Sequence, residues 1–418
     1  MQIISSFGIE QATSNLPQMK LRRLPRPAPG KYRRHWRLAP KTVFLNHGSF
    51  GACPEPIQRL QAELRCRMEA EPVQFLWRRY EERLEPARVA LAHFLGARPS
   101  DLVFVTNATS GVNAVARSIQ LRRGDELLTT NQDYNACRNV LAEAARRSGA
   151  KLAVAKIPFP LARGEDAVAA VIEALTPRTR LVMLDHVTSN TALILPVERI
   201  IRELDARGVD VLVDGAHAPG MLPLNLAKLR PAYYTGNLHK WVCAPKGAAF
   251  LWAREDKQTD LSPAVVSHGN NTHRPGFTHF QDRFDWAGTA DPTPWFCVGE
   301  AIRWLGCLLP GGWRELRKLN HDKVVAARKM LCERLGVQPL VPVNLLGSMA
   351  TIELPERFQD RVLISKLETE QMRLYDEFGI EVPFVRIGDP RRRYFRISAQ
   401  VYNTPAEYEY LAAALATL

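Results

Sequence analysis

Between residues 102 and 252 short apolar runs recur, at 102–106, 126–130, 152–157, 181–186, 209–214 and 247–252. Stretches with the spacing of amphipathic helices separate them, at 110–120, 135–148, 165–175 and 196–207. A strand wetted on one face alternates apolar with polar residues; these runs are mostly apolar without that alternation, so they predict strands covered on both faces. Strands alternating with helices in this way form a mostly parallel sheet with helices packed on either side, an α/β fold. Ahead of this block, Pro54 opens a helical stretch reaching about Glu71, and a second helix spans 81–95. Residues 255–295 are rich in Gly, Asn, Thr, His and Pro and predict loops. Beyond Pro294 the pattern becomes helix at 296–308 and 314–335, strand at 349–354, helix at 360–378, strand at 394–401 and helix at 405–417, a smaller α+β unit. The chain is therefore read as an N-terminal arm at 1–42, a large α/β domain at 43–295 and a small C-terminal domain at 296–418.

Composition agrees with a globular reading: 46% of the 418 residues are hydrophobic and 24% charged, which excludes a disordered or fibrous chain. The net charge of +13 raises the question of nucleic acid. Eight of the basic residues lie within the first 37, against the single acid Glu10, so +7 of the excess belongs to the arm. An arm of that length carrying Pro25, Pro27 and Pro29 cannot form a helix-turn-helix, and no nucleic-acid partner is expected. Seven cysteines without a C-x-x-C pair point to a reducing, cytoplasmic setting. Ser5, Ser6, Glu10 and Gln11 interrupt any signal-like apolar core, and no run has membrane-spanning length, so no membrane association is expected.

The usual dinucleotide, nucleotide and zinc signatures are absent. Gly48-Ser49-Phe50-Gly51 lacks the spacing of a nucleophile elbow and reads as a loop. His268, His273 and His279 fit no named metal motif and read as loop residues, so no metal is expected. Chemistry gathers instead in polar segments that follow strand ends, where open parallel sheets place ligands. Thr106-Asn107-Ala108-Thr109-Ser110-Gly111 opens a helix with small hydroxyl residues, suited to a phosphate or to an ordinary N-cap. The strand at 209–214 runs directly into Asp214, a carboxylate that at a buried end needs a cationic partner or several donors, unless it simply caps the next turn, with His217 three residues on. In Tyr233-Tyr234-Thr235-Gly236-Asn237-Leu238-His239-Lys240-Trp241, apolar neighbours would desolvate Lys240 and lower its pKa, as an amine nucleophile requires. Lys246, beside Pro245 and Gly247, is the rival and reads as a turn residue.

An aspartate, a lysine and a phosphate loop in this order suit pyridoxal 5′-phosphate. With these residues the chain resembles the class V aminotransferase family of fold-type I pyridoxal-phosphate enzymes, and within it the isopenicillin N epimerase-like group. The likeness runs from Phe44-Leu45-Asn46-His47-Gly48-Ser49-Phe50-Gly51 to Arg396-Ile397-Ser398-Ala399-Gln400-Val401-Tyr402-Asn403-Thr404. The resemblance implies that Lys240 forms the Schiff base, Asp214 pairs with the ring nitrogen and His217 approaches the phenolic oxygen. Thr109, Asn237 and His239 would hold the phosphate, with the backbone at Ala108 and Ser110 helping. Tyr134 takes the ring-stacking position that cysteine desulfurases fill with histidine, and Ser189, with Asn190 beside it, that of a phenolate-binding asparagine. Arg396 matches the substrate-carboxylate arginine, with Asn46 and His47 beside the substrate. Thr289 matches a residue that reaches a neighbouring subunit's phosphate, so a homodimer is expected.

A Schiff base between this cofactor and a substrate amine stabilises a carbanion at Cα whichever bond breaks, so the cofactor site alone does not name the reaction. The segment 385–393 lacks the cysteine a desulfurase needs. Resemblance favours epimerisation of an amino acid or amino-acid-containing substrate, with β-elimination (C–S lyase) and amino transfer as alternatives. A nucleic-acid-binding regulator with a degenerate fold is the alternative of another class. His47, Tyr134 or a partner residue would serve as the second acid/base group beside Lys240. Arg391, Arg392 and Arg393 either meet a distal acidic group of the substrate or form a solvated turn.

Overall fold

The computed structural model describes residues 25–359, 369–388 and 391–418. Its strands are β1 (Val43–Phe44), β2 (Leu102–Val105), β3 (Glu126–Thr130), β4 (Lys151–Ala155), β5 (Thr179–Asp185) and β6 (Asp210–Asp214), followed by β7 (Tyr233–Asn237), β8 (Ala249–Ala253), β9 (Met349–Glu353), β10 (Ile380–Glu381), β11 (Phe384–Ile387) and β12 (Arg392–Ser398). Seven of them form one sheet in the order β2-β8-β7-β6-β5-β3-β4, in which β8 alone runs against its neighbours. Alternate residues along each strand enter two separate cores. Leu102, Phe104, Val182, Leu184, Val211, Val213 and Phe250 pack on one face. Val103, Val105, Leu181, Met183, Leu212, Ala249 and Leu251 pack on the other. Each such side chain contributes about 1.5–3 kcal/mol by leaving water, which is why the runs are apolar on both faces.

One strand of this sheet has no apolar run. In β7 the sequence reads Tyr-Tyr-Thr-Gly-Asn, and its polarity reflects what packs on it. The helix Ala108–Ser118 approaches so closely that a Cβ on Gly111 would lie 2.3 Å from Thr235 Oγ1, and Thr235 Oγ1 donates to the Phe250 carbonyl at 2.8 Å. β-propensity and periodicity register side chains that fill space, whereas this strand is defined by space left for its neighbours.

In the C-terminal part, β11-β12-β9 form an antiparallel sheet, and the helices Gly312–Leu335 and Pro405–Thr417 lie against each other. The predicted helix at 360–378 is seen as Thr369–Phe378; its first residues lie outside the described ones. Strands β10 and β11 were not expected from the pattern. β1 pairs in parallel with β10, and Leu45 bridges Glu381 and Ser398 through backbone hydrogen bonds, so residues 43–45 join the C-terminal strands. Arm residues 25–42 are no free tail: Trp36 is 4% exposed, packs edge-on against Tyr402 and Trp304, and donates to the Ala52 carbonyl. Arg33 and Arg26 are tied to backbone carbonyls and Arg37 to Glu55. The arm's Lys20, Arg22 and Arg23 lie outside the described residues.

Candidate active site

Because the sheet is mostly parallel, the segments after β2, β3, β5, β6 and β7 all emerge along one edge. They enclose a cavity of about 490 Å³ lined by Ala108, Thr109, Ser110, Tyr134, Asp185, Ser189, Asp214, His217, Asn237, His239 and Lys240, with Ser49 and Phe50 contributed by the segment after β1, which forms the short helix His47–Phe50 and not the expected loop. That volume suits a cofactor-sized ligand.

Lys240 is the pivot. Burial pushes its amine down to about 8, Arg396 adds to the effect, and Asp214 and Asp185 oppose it. Its Nζ lies 3.2 Å from His217 Nε2. Trp241 Nε1, which only donates, points at His217 Nδ1 at 3.4 Å, so Nδ1 accepts and the neutral ring carries its proton on Nε2. Burial and the nearby Lys240 hold His217 well below its ordinary pKa, in this neutral form. The ring therefore offers an N–H to the unprotonated amine and favours the free base.

Asp214 ends β6 with 3% exposure. It accepts from the Ala216 amide at 2.9 Å and from the Cys137 thiol at 3.1 Å. Burial raises its pKa, and those donors together with Lys240 act against the rise. Beside it, Asp185 ends β5 in register with it, also 3% exposed, and burial followed by the Asp214 charge pushes its pKa well up. At the phosphate end, Asn107 caps the helix Ala108–Ser118 by accepting from the Ser110 amide at 2.8 Å, and Asn237 Oδ1 accepts from the Ala108 amide at 2.9 Å.

The model for the family described as Aminotransferase class-V matches residues 57–411. The chain belongs to the class-V aminotransferase family. An isopenicillin N epimerase from Amycolatopsis lactamdurans is 36% identical over 397 residues, covering 91% of this chain and 96% of that one. A probable chloroplastic L-cysteine desulfhydrase from Arabidopsis thaliana is 29% identical, covering 90% and 82%. In fold the chain is similar to a solved cystine C–S lyase, with a TM-score of 0.76 at 22% identity over 90% of this chain and 98% of that one.

The family's cofactor is pyridoxal 5′-phosphate, and the donor set fits it. Lys240 supplies an amine for the aldehyde and Asp214 an anion for the ring nitrogen. Thr109, the Ser110 hydroxyl and the amide nitrogen of Asn237 border the helix N-terminus where a phosphate is favoured. The backbone at Ala108 and Ser110 does not fill the expected role, since both amides already have acceptors in the chain. The capping and phosphate readings of this segment thus divide between atoms: amides cap, side chains face the cavity. His239 Nδ1 donates to the Ala248 carbonyl at 3.2 Å, and burial lowers its pKa to about 4, so its other nitrogen is bare until an anion draws a proton to it.

Class-V aminotransferase residues expected from sequence do not all reach the cavity. His47 is a correction. It is fully buried beneath the lysine, its Nε2 donates to the Lys240 carbonyl at 3.0 Å, Nδ1 accepts from Tyr402 at 2.8 Å, and burial depresses its pKa to about 3. It supports the Lys240 backbone and lies outside the cavity lining. Asn46 likewise lies outside the lining, held by Glu381, Ser49 and Arg396. Arg396 sits one layer behind the wall, with Nη1 on the Ser189 carbonyl at 2.5 Å and Nη2 on Ser49 Oγ at 3.0 Å; burial lowers its pKa to about 10. Ser189, not the exposed Asn190, faces the cavity. Thr289 is exposed and away from this chain's own cavity. Arg392 is taken up by Glu353 and Glu356, and Arg393 is buried against Glu370, so neither is a free basic turn residue. His273, His279 and Asp282 bring ligand-type atoms within 4.8 Å of one another, but Arg274 already holds the Asp282 carboxylate at 2.7 Å. Sequence reasoning missed Asp185 and Cys137. Asp185 carried the signal that singled out Asp214, an apolar strand ending in a carboxylate; Cys137 carried none.

Proposed function

We propose that the protein removes the Cα proton of an amino acid, or of a larger molecule containing one, and returns it to the opposite face. The observation that carries this reading is Lys240, a buried amine with a pKa near 8 that faces the cavity and serves as the base at one face of Cα. Bound pyridoxal phosphate supplies the electron sink for the resulting charge. Tyr134 lines the same cavity with a half-exposed side chain and is assigned the second acid/base role. Arg396, behind Ser49 and Ser189, is assigned the substrate carboxylate. The isopenicillin N epimerase relatives, 35–36% identical, support epimerisation.

The desulfhydrase relatives support a second reading, β-elimination with C–S cleavage, which uses the same base. None of the seven cysteines, all of them described residues, lines the cavity, which weighs against a persulfide-carrying thiol. A homodimer belongs to the proposal: Phe50 at the cavity rim is 72% exposed and Trp77 66%, apolar surface that a second copy would cover, with Thr289 free to face that copy's site. A reducing, cytoplasmic setting fits a site in which the Cys137 thiol donates to Asp214.

Incubating the holoenzyme with L-amino acids, cysteine conjugates and peptides in heavy water tests the assignment. Deuterium at Cα with D-product and no keto acid is the expected result. Pyruvate with ammonia would instead establish elimination, and a keto acid with aminated cofactor would establish transfer. A colourless protein, unaltered by borohydride, that binds duplex DNA would overturn the enzymatic reading.

A further inference from the structure

Asp185 and Asp214 are paired residues at the carboxyl ends of adjacent parallel strands, so their side chains leave the same face of the sheet side by side. Both are almost fully buried and both line the cavity. Their surroundings differ in donors. Asp214 has a partner on each oxygen, the Ala216 amide on Oδ1 and the Cys137 thiol on Oδ2. Asp185 accepts from the Tyr134 amide, and its Oδ1 is buried with no hydrogen-bond partner among the described residues. The charged groups facing the pair are few. Lys240 is the cation that acts on both; Asp133, which also acts on Asp185, is held by Arg138.

A pyridine ring brings one nitrogen, hence one positive charge, to two carboxylates. Two adjacent buried anions around one cation leave a charge uncompensated, and such pairs keep a proton between them. The proton goes to the member with fewer donors, because each N–H or S–H on a carboxylate stabilises its anion. We propose that Asp185 is the protonated member of a carboxyl pair with Asp214, a positioning residue that leaves Asp214 as the sole anion for the ring nitrogen while its other oxygen fixes the backbone of Tyr134. The inference rests on the cofactor site and is independent of which bond at Cα breaks.

Infrared difference spectroscopy on protein carrying isotope-labelled aspartate tests it, together with the dissociation constant for pyridoxal phosphate measured by dialysis. Wild type minus Asp185→Asn is expected to show the carbonyl stretch of a protonated carboxyl, in apoprotein and holoprotein alike. Asp185→Asn, a neutral isostere, is expected to bind the cofactor within about threefold of wild type, whereas Asp214→Asn weakens binding by roughly tenfold or more. Asp185→Ser provides the same comparison if the amide does not fold. The proposal is overturned if the band survives in the Asp185 variants and vanishes in Asp214→Asn, if no such band distinguishes wild type from either, or if neutralising Asp185 weakens cofactor binding as much as neutralising Asp214. Loss of the reaction class in the heavy-water experiment would leave these readouts unchanged.

Discussion

The lowered pKa of Lys240 makes a stability prediction that needs no substrate. In the unfolded chain a lysine holds its proton with a pKa of about 10.4; in the folded protein the value is about 8. The folded state therefore binds this proton less tightly, the unfolded state carries more protons between those values, and stability rises with pH across the window. The difference of about 2.4 units corresponds to about 3 kcal/mol, a cost borne at neutral pH and relieved by about pH 10.5. The same shift raises the free-base fraction at pH 7 by roughly 200-fold, which is what the site gains from burying the amine. Removing the amine with Lys240→Met deletes the cost. The assay is denaturant unfolding of cofactor-free wild type and Lys240→Met from pH 7 to 10.5, with m-values matched. The variant is expected to be the more stable at pH 7, and the gap to close by about 3 kcal/mol as pH rises. Curves that stay parallel across the window would refute the argument, because the proton would then be held equally in both states.

Asp185 behaves in the opposite sense: its folded pKa is raised, so its contribution is intact below about pH 4 and is lost as pH climbs. Apoprotein carrying Asp185→Asn is therefore expected to melt higher than wild type at neutral pH and no higher at acid pH, as calorimetry would report. Gly51 holds φ +68°, and a Cβ there would lie 2.1 Å from the His239 carbonyl and 2.8 Å from Lys240 Cα. Gly51→Ala should weaken cofactor binding by roughly tenfold or more with unchanged far-ultraviolet dichroism, since it displaces the backbone that carries the amine. Tyr134→Phe should retain cofactor affinity within about threefold and Tyr134→Ala lose it, by titration, if the ring acts through stacking. Arg88 is fully buried and binds Glu85, the Leu102 carbonyl and Asp285. Arg88→Ala should cost about 3–5 kcal/mol in chemical denaturation without altering the cofactor's absorption.

The sequence alone determined the alternating strands and helices of the large sheet, because a strand covered on both faces reads as a short, mostly apolar run, too short for a helix and set between stretches with helical spacing. It also singled out Lys240 and Asp214, both of which line the cavity, from their neighbours: a charge at the end of an apolar strand, an amine among Leu238, Trp241 and Val242. It did not determine β7, whose residues are chosen to let a helix and a ring approach. Nor did it place His47, adjacent to the cavity loop in sequence and sealed beneath Lys240 in space. The tautomer of His217 depends on Trp241 Nε1, and which member of the Asp185–Asp214 pair holds the proton depends on which donors fall within reach. Residue type states what a group is able to do; the number of partners around each atom, a property of tertiary contact, decides its charge and therefore its role.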